Sequence, residues 1–143
     1  MNEKKANLEY FLFAEAWLYL AGARLIVFML PFKKIASFMG IHEGNNNRPY
    51  QETSGNCDYK PIGDAILRAS RRSSWRTKCF EQALAGKFML KIRGLRSTIY
   101  FGVAKSTNDL NSLRAHAWLV CKGQVVTGGG GLDSFTVIGK FKS

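Results

Sequence analysis

The sequence predicts an α+β fold in which helices come first and antiparallel strands follow. Two segments, 62–70 and 79–92, carry apolar residues at three- and four-residue spacing, and Gly94 supplies a stop after the second. After Gly94 the apolar period changes to two, which predicts strands and a hairpin turn at Lys122-Gly123. These strands are 97–103, 115–121, 124–127 and 134–138. Helices followed by an antiparallel sheet are typical of the α+β class.

The composition indicates a globular protein with basic charge. The 143 residues are 46% apolar, which argues against disorder, and the net charge of +11 favours nucleic acid, anionic lipid or an acidic peptide as a partner. We find no cleavable signal, and the three cysteines are odd in number, so we expect thiols in a reducing, cytoplasmic compartment. Cys57 and Cys121 are interpreted as incidental thiols. Because no paired ligand spacing is present, we expect no zinc or other metal site.

Three regions follow one another along the chain. Residues 1–41 form an apolar helical segment, and residues 42–60 form a linker rich in Asn and Gly. Residues 61–143 carry the candidate catalytic and binding residues. Pro31 should end the first helix, and 33–39 should form a short second one before Gly40.

The sequence of the first helix is compatible with packing on protein and with membrane contact. It is almost wholly apolar from 10 to 32, but Glu15 and Arg24 interrupt it at a cost of about 2.5–3.5 kcal/mol each near a bilayer centre. We expect it to pack on the rest of the domain or on a partner protein. A peripheral membrane contact through residues 8–39 is the second alternative, and a true span the third. One heptad-like apolar stripe consists of Phe11, Ala14, Leu18, Ala21, Leu25 and Phe28.

Cys79 is the candidate nucleophile. Thr77 is the predicted N-cap, which puts Cys79 in the first helical turn, where backbone N–H groups and the helix dipole favour the thiolate. Arg76 and Lys78 add positive charge beside it in sequence. The backbone N–H of Cys79 is the natural oxyanion donor of such a site. The alternative is a buried cysteine that acts as a small apolar side chain.

His116 is the candidate base. It lies on an apolar strand, whereas the other histidine, His42, is at the start of the linker. Strand alternation puts His116 and Trp118 on one face and Ala117 on the other. A sheet packed on the Cys79 helix would bring the imidazole to the thiol, as in thiol hydrolases. The alternative is a core histidine.

Three side chains are candidates for substrate contacts. Trp118 would wall a groove, although a core tryptophan is the commoner outcome. Gln82, one turn after Cys79, would contact substrate or hydrogen-bond locally. Arg76, together with the arginines at 68, 71 and 72, would steer an acidic peptide, or else belongs to a solvated helix face.

An ordered set of motifs runs through the second half of the chain. The motifs are Thr77-Lys78-Cys79, Gln82-Ala83-Leu84-Ala85, Leu90, Arg93-Gly94, Tyr100-Phe101-Gly102-Val103-Ala104, Ala115-His116-Ala117-Trp118, Val126-Thr127-Gly128-Gly129 and Phe135-Thr136-Val137. This set resembles the stand-alone, transglutaminase-like leader peptidases of lasso-peptide biosynthesis. The resemblance runs from about residue 61 to the C-terminus, and the apolar helix before Pro31-Phe32 is similar to that family's N-terminal segment.

The resemblance implies a papain-like cysteine protease that removes a leader peptide through a thioester. It implies a transglutaminase-like core, a lasso precursor peptide as substrate, and a small leader-binding recognition protein. It also implies a separate ATP-dependent lasso cyclase, and neither a cofactor nor a nucleic acid. Many enzymes of this fold carry an Asp across the hairpin from the histidine, where this chain has Val126-Thr127-Gly128-Gly129 and no carboxylate. Asp133 is the acidic residue that follows His116 and is the candidate third catalytic residue, or else a turn residue.

Three other functions stay open at this point. An acyl or amide transferase would use the same thioester with an amine acceptor. A basic nucleic-acid-binding module would bind with steep salt dependence and would not need Cys79. A scaffold that keeps the fold without catalysis predicts that Cys79→Ala leaves precursor processing unchanged.

Overall fold

Four helices form where the sequence is periodic at three and four residues. The computed structural model describes residues 2–39, 41–43, 60–73, 78–105, 112–129 and 132–142. Within them the helices are α1 (Glu3–Met29), α2 (Phe32–Met39), α3 (Lys60–Arg72) and α4 (Cys79–Ile92). The predicted segments are therefore confirmed, with α1 and α3 longer than the sequence indicated.

Local chemistry sets the helix ends. Leu30, just before Pro31, has an extended backbone conformation. α1 therefore ends at the position that Pro31 predicts. Gly94, at a φ of +74°, ends α4 in the left-handed conformation that glycine adopts at low cost. At the start of α4 the N-cap is Lys78 rather than the predicted Thr77. The Lys78 N–H donates to Glu81 Oε2 at 3.2 Å, because a carboxylate at the third helical position reaches back to the cap.

Within the described residues, five antiparallel strands form one sheet. They are β1 (Ile41–Glu43), β2 (Thr98–Lys105), β3 (Leu113–Cys121), β4 (Gln124–Thr127) and β5 (Thr136–Lys142), in the order β1-β5-β2-β3-β4. Lys122 and Gly123 join β3 to β4 with φ of 49° and 80°, the two left-handed residues of a tight hairpin. The hairpin prediction is confirmed.

Two boundaries differ from the sequence prediction. Residues 42 and 43, which were assigned to the linker, belong to β1 and pair with β5. Residues 44–59 lie outside the described chain, so the rest of the linker stays a prediction. The last strand is 136–142 rather than 134–138, and a short 3₁₀ turn, Leu132–Ser134, precedes it. β1 depends on its pairing with β5, and β5 also pairs with β2; a local sequence pattern does not reveal such partners.

The two faces of the sheet are covered differently. One face packs against α3 and α4, with a smaller contact from α2, and contributes Ile99, Leu119 and Phe141 to the main hydrophobic core. α1 joins this core by packing on α3 and α4. The opposite face carries a smaller cluster around Trp118. The alternation predicted for β3 is thus confirmed, with His116 and Trp118 stacked together and Leu119 facing the helices.

α1 packs on the domain, as the first alternative predicted. Its inner face buries Leu12, Ala16, Leu20 and Ala23 in the main core. Two ion pairs secure it to α4: Arg24 bonds Glu81 at 3.0 Å, and Glu15 bonds Arg93 at 2.7 Å. The N-terminal segment and the region after residue 60 therefore share one core.

Candidate active site

The start of α4 is fixed beside β3 by an aromatic contact. Phe80, in the first turn, packs on Phe101 of β2 with ring centroids 5.5 Å apart. Phe101 is paired in register with Ala117, the residue after His116. Because Cys79 precedes Phe80, this contact places the thiol at the part of β3 that carries the imidazole.

Cys79 and His116 form a hydrogen-bonded thiol–imidazole pair. This hydrogen bond is the main cause that lowers the pKa of Cys79 below its ordinary value of 9.0. Partial burial opposes the shift, while N–H groups of Ala117 and Phe80 support it by donating to the sulfur. The predicted position of Cys79 in the first helical turn is confirmed, since it is the first residue of α4.

A backbone carbonyl holds the other side of the imidazole. Nε2–H of His116 donates to Gly128 O at 2.7 Å. Because a carbonyl oxygen only accepts, this bond assigns the proton to Nε2 and leaves Nδ1 for the thiol. The bond to Cys79 raises the pKa of His116 above 6.5, burial opposes that, and Gly128 O adds to the rise. Both pKa shifts therefore favour the charged forms of the two side chains relative to the isolated groups.

The bond to Gly128 depends on a close approach that only glycine permits. Gly128 follows β4 with a φ of +76°, a left-handed conformation that other residues adopt at a cost. A Cβ there would lie 2.7 Å from Ala117 O and 3.0 Å from Trp118 Cβ. The backbone at Gly128 therefore lies directly against β3, which puts its carbonyl within reach of His116.

Aromatic rings fix the plane of the imidazole. The His116 ring stacks on Trp118 at 5.8 Å and contacts Phe135 at 5.2 Å between centroids. Gly102 lies opposite His116 in register, and a Cβ there would come within 2.8 Å of Trp118. Because Gly102 has no side chain, the indole of Trp118 can extend across β2. There it stacks against one face of the His116 imidazole.

Trp118 is a core residue rather than the predicted wall of a groove. Its side chain is 0% exposed and belongs to the cluster with Phe135 and Val137. A ring without exposed surface offers nothing for a peptide to contact directly. Its effect on the site is through the stacking with His116.

The remaining predicted site residues divide into two groups. Gln82 is placed, and its Nε2 donates to Ser70 Oγ at 3.1 Å, the local bond that was the alternative to substrate contact. Arg76 and Cys57 lie outside the described residues. Asp133 is in the 3₁₀ turn, and its side chain is also outside what is described, so its role stays a prediction.

Sequence reasoning missed the groups that orient His116. Gly128 was considered only as part of a motif and of the stretch where many enzymes of this fold carry an Asp, and a backbone acceptor has no side chain to signal it. Gly102 carried a usable signal, because an isolated glycine within a strand often marks a close approach. Phe135 was quoted as part of a motif, but its contact with His116 depends on tertiary packing.

A helix-borne thiol beside an imidazole supplies a nucleophile and a proton carrier for acyl transfer. Within the described ranges, no group of three or more His, Cys, Asp and Glu side chains is arranged to hold a metal ion. The class that this fold and site define is therefore that of proteins built around a Cys–His pair on an α+β core.

The chain belongs to the transglutaminase-like superfamily, whose family model matches residues 22–140. Members of this superfamily are typically cysteine-based acyl transferases or proteases. No curated protein and no solved structure matches the chain at a significant level.

Proposed function

We propose that this protein is a cysteine peptidase that removes the leader from a lasso-peptide precursor. The observation that carries the peptidase part is the hydrogen bond between Cys79 and His116, with the thiol at a helix start and its pKa lowered. The lasso part rests on the ordered motifs described above, from Thr77-Lys78-Cys79 to Phe135-Thr136-Val137.

The proposed reaction runs through a thioester. The thiolate of Cys79 attacks the carbonyl carbon at the junction of leader and core, and the oxyanion accepts a hydrogen bond from the Cys79 N–H. The C–N bond breaks as the imidazolium of His116 gives its Nδ1 proton to the leaving amine of the core. Neutral His116 then takes a proton from water, which hydrolyses the leader thioester and frees the thiol.

Gly128 O is the proposed orienting group in this mechanism. It takes the place that a carboxylate occupies in many enzymes of this fold, since it accepts from Nε2 at 2.7 Å. An uncharged acceptor fixes the tautomer but adds less stabilisation to the imidazolium than a carboxylate would. Asp133 is the alternative. Asp133→Asn should leave turnover unchanged if Gly128 O fills the role, and a large loss would assign it to Asp133.

The proposed partners are those implied by the resemblance. A leader-binding recognition protein would deliver the precursor, and the ATP-dependent cyclase would join the newly exposed amine to a side-chain carboxylate. The charge of +11 suits a substrate or partner with acidic residues.

The direct test is incubation with the precursor peptide, with and without the recognition protein, read by mass spectrometry. We expect free leader with a C-terminal carboxylate, and free core. Cys79→Ala should abolish both products. Cys121→Ala is the matched control, since its thiol is buried and donates to Arg96 O at 3.4 Å, away from the imidazole.

The same experiment separates the alternatives. With excess primary amine, an acyl transferase would give leader amide in place of the carboxylate. Processing that persists unchanged in Cys79→Ala would overturn the peptidase proposal and leave a scaffold. Cleavage of unrelated peptides, with the precursor left intact, would keep the peptidase and overturn the lasso substrate.

A further inference from the structure

α1 has an inner face that is buried and an outer face that is apolar yet exposed. The outer face contains the heptad-like stripe found in the sequence, and its large side chains are open to solvent: Phe28 is 85% exposed and Leu18 65%. Tyr10, Phe11 and Leu25 are exposed on the same helix. Single exposed apolar residues are ordinary, but a continuous band of this length marks an interaction surface.

The outer face carries no free charge along its length. Between Tyr10 and Met29 the charged residues of α1 are Glu15 and Arg24, and both are held by ion pairs to α4. A groove of about 760 Å³ between α1 and α4 continues the band, lined among others by Leu18, Phe88 and Ile92. The apolar surface thus extends from one helix to the next.

α1 would not leave the domain to span a bilayer. By length and composition it is the one helix among the described residues that passes the test for a span, with a mean hydropathy of 1.6, which by itself is weak support. A span would expose the core around Leu12 and Leu20 and leave the carboxylate of Glu81, 1% exposed, without Arg24. α1 therefore stays packed on the domain, and its outer face is the side that is available to contact a partner.

The charges at the two ends of α1 indicate which kind of partner contacts its outer face. Lys4 and Lys5 are exposed at its start and Lys33 and Lys34 just beyond its end, with Glu3 offsetting one of them. A second copy of the chain, packed parallel or antiparallel along the band, would bring these lysines against lysines. An anionic lipid surface would attract both ends at once, as the charge of +11 favours.

We propose that the outer face of α1 is a membrane-docking surface that lies flat on an anionic bilayer. Phe11, Leu18, Leu25 and Phe28 enter the boundary between head groups and acyl chains, while the terminal lysines contact the lipid phosphates. The remainder of the domain stays above the membrane. The proposal does not depend on the peptidase activity.

The test is flotation of the full-length protein with vesicles, either phosphatidylcholine alone or phosphatidylcholine with 30% phosphatidylglycerol. We expect binding to the anionic vesicles, weaker binding to the neutral ones, and a decrease as salt is raised. Phe28→Ser should weaken binding about tenfold, because a large apolar side chain no longer enters the bilayer. Replacing Lys33 by Gln should weaken it roughly fivefold.

Ile138→Ser is the matched control, an exposed apolar residue on β5 rather than on α1. It should bind like the parent protein, and all variants should unfold at similar urea concentrations. The proposal is overturned by absent vesicle binding, or by equal loss in Ile138→Ser and Phe28→Ser. It is also overturned if sedimentation shows a dimer at micromolar concentration that Phe28→Ser dissociates, since a second copy then covers the band.

Discussion

The two faces of the sheet serve different purposes although they share the same strands. The face toward the helices buries Leu119, Ile99 and Phe141 in the main core, and it contributes most of the apolar burial. The other face carries a small cluster of rings around His116 and Trp118. β3 contributes residues to both faces. Alternate residues along this one strand therefore lie either in the main core or beside the candidate active site.

This difference shows which of the described groups position the imidazole. The ring of His116 is fixed from three sides, by Trp118, by Phe135 and by the carbonyl of Gly128. The helical face fixes the thiol independently, through Phe80 on Phe101. Substitutions on the two faces should therefore move different measurements.

The largest effects should come from His116→Ala and Leu119→Ala. His116→Ala should lower precursor cleavage about 10²–10⁴-fold, as loss of a general base does, with little change in the free energy of unfolding. Leu119→Ala should lower the free energy of unfolding by about 2–5 kcal/mol, because it leaves a cavity in the core. Urea denaturation and a cleavage assay at a temperature where both are folded measure the two effects. If both variants change both measurements alike, the division between the faces is wrong.

Gly128→Ala should have the next largest effect. The left-handed backbone costs a non-glycine residue about 1–2 kcal/mol, and the added methyl would contact Ala117 O. Displacing the carbonyl removes a hydrogen bond of about 1 kcal/mol from His116, which corresponds to about fivefold to tenfold in turnover.

Gly129→Ala is the control for this position. A Cβ on Gly129 would lie 3.4 Å from Val125 Cγ1, an ordinary contact, so we expect turnover within about twofold of the parent. Equal turnover in the two variants would show that the Gly128 carbonyl does not orient the imidazole.

The smallest predicted effect concerns the link between α1 and the start of α4. Arg24→Met should lower the free energy of unfolding by about 1 kcal/mol, because the buried Glu81 carboxylate loses its cation while Arg24 itself is 42% exposed. Glu81 also holds the Lys78 N–H beside Cys79, so turnover should fall, by less than tenfold. Arg68→Met is the control: its pair with Glu9 is 3.8 Å apart and largely exposed, and we expect less than about 0.5 kcal/mol.

Much of the fold could be predicted from the sequence because it depends on local patterns. The period of three and four residues gave α3 and α4, Pro31 gave the end of α1, and Lys122-Gly123 gave the hairpin. β1 was missed because three residues hold no period of their own and depend on β5 as a partner. The cap at Lys78 was missed because the stabilising group is the Glu81 carboxylate, three residues further on.

The candidate site was predictable where it depends on side-chain chemistry. Cys79 and His116 are unusual residues in their settings, and the hydrogen bond between them agrees with the spatial arrangement that the sequence suggested. The acceptor on Nε2 was not predictable, since any residue carries a carbonyl. The sequence left open whether Trp118 lines a groove or lies in the core, because it gives the face of this side chain but not its burial.

The central claim is that the hydrogen bond with His116 lowers the pKa of the Cys79 thiol below its ordinary value. The most direct measurement is the rate at which iodoacetamide modifies Cys79 across pH, followed at each cysteine by peptide mass spectrometry. We predict that the rate reaches half its maximum below pH 9.0 in the parent protein and at higher pH in His116→Ala, because the main cause of the lowered pKa is gone. The same midpoint in both proteins, or a Cys79 that reacts no faster than Cys121, would contradict the claim.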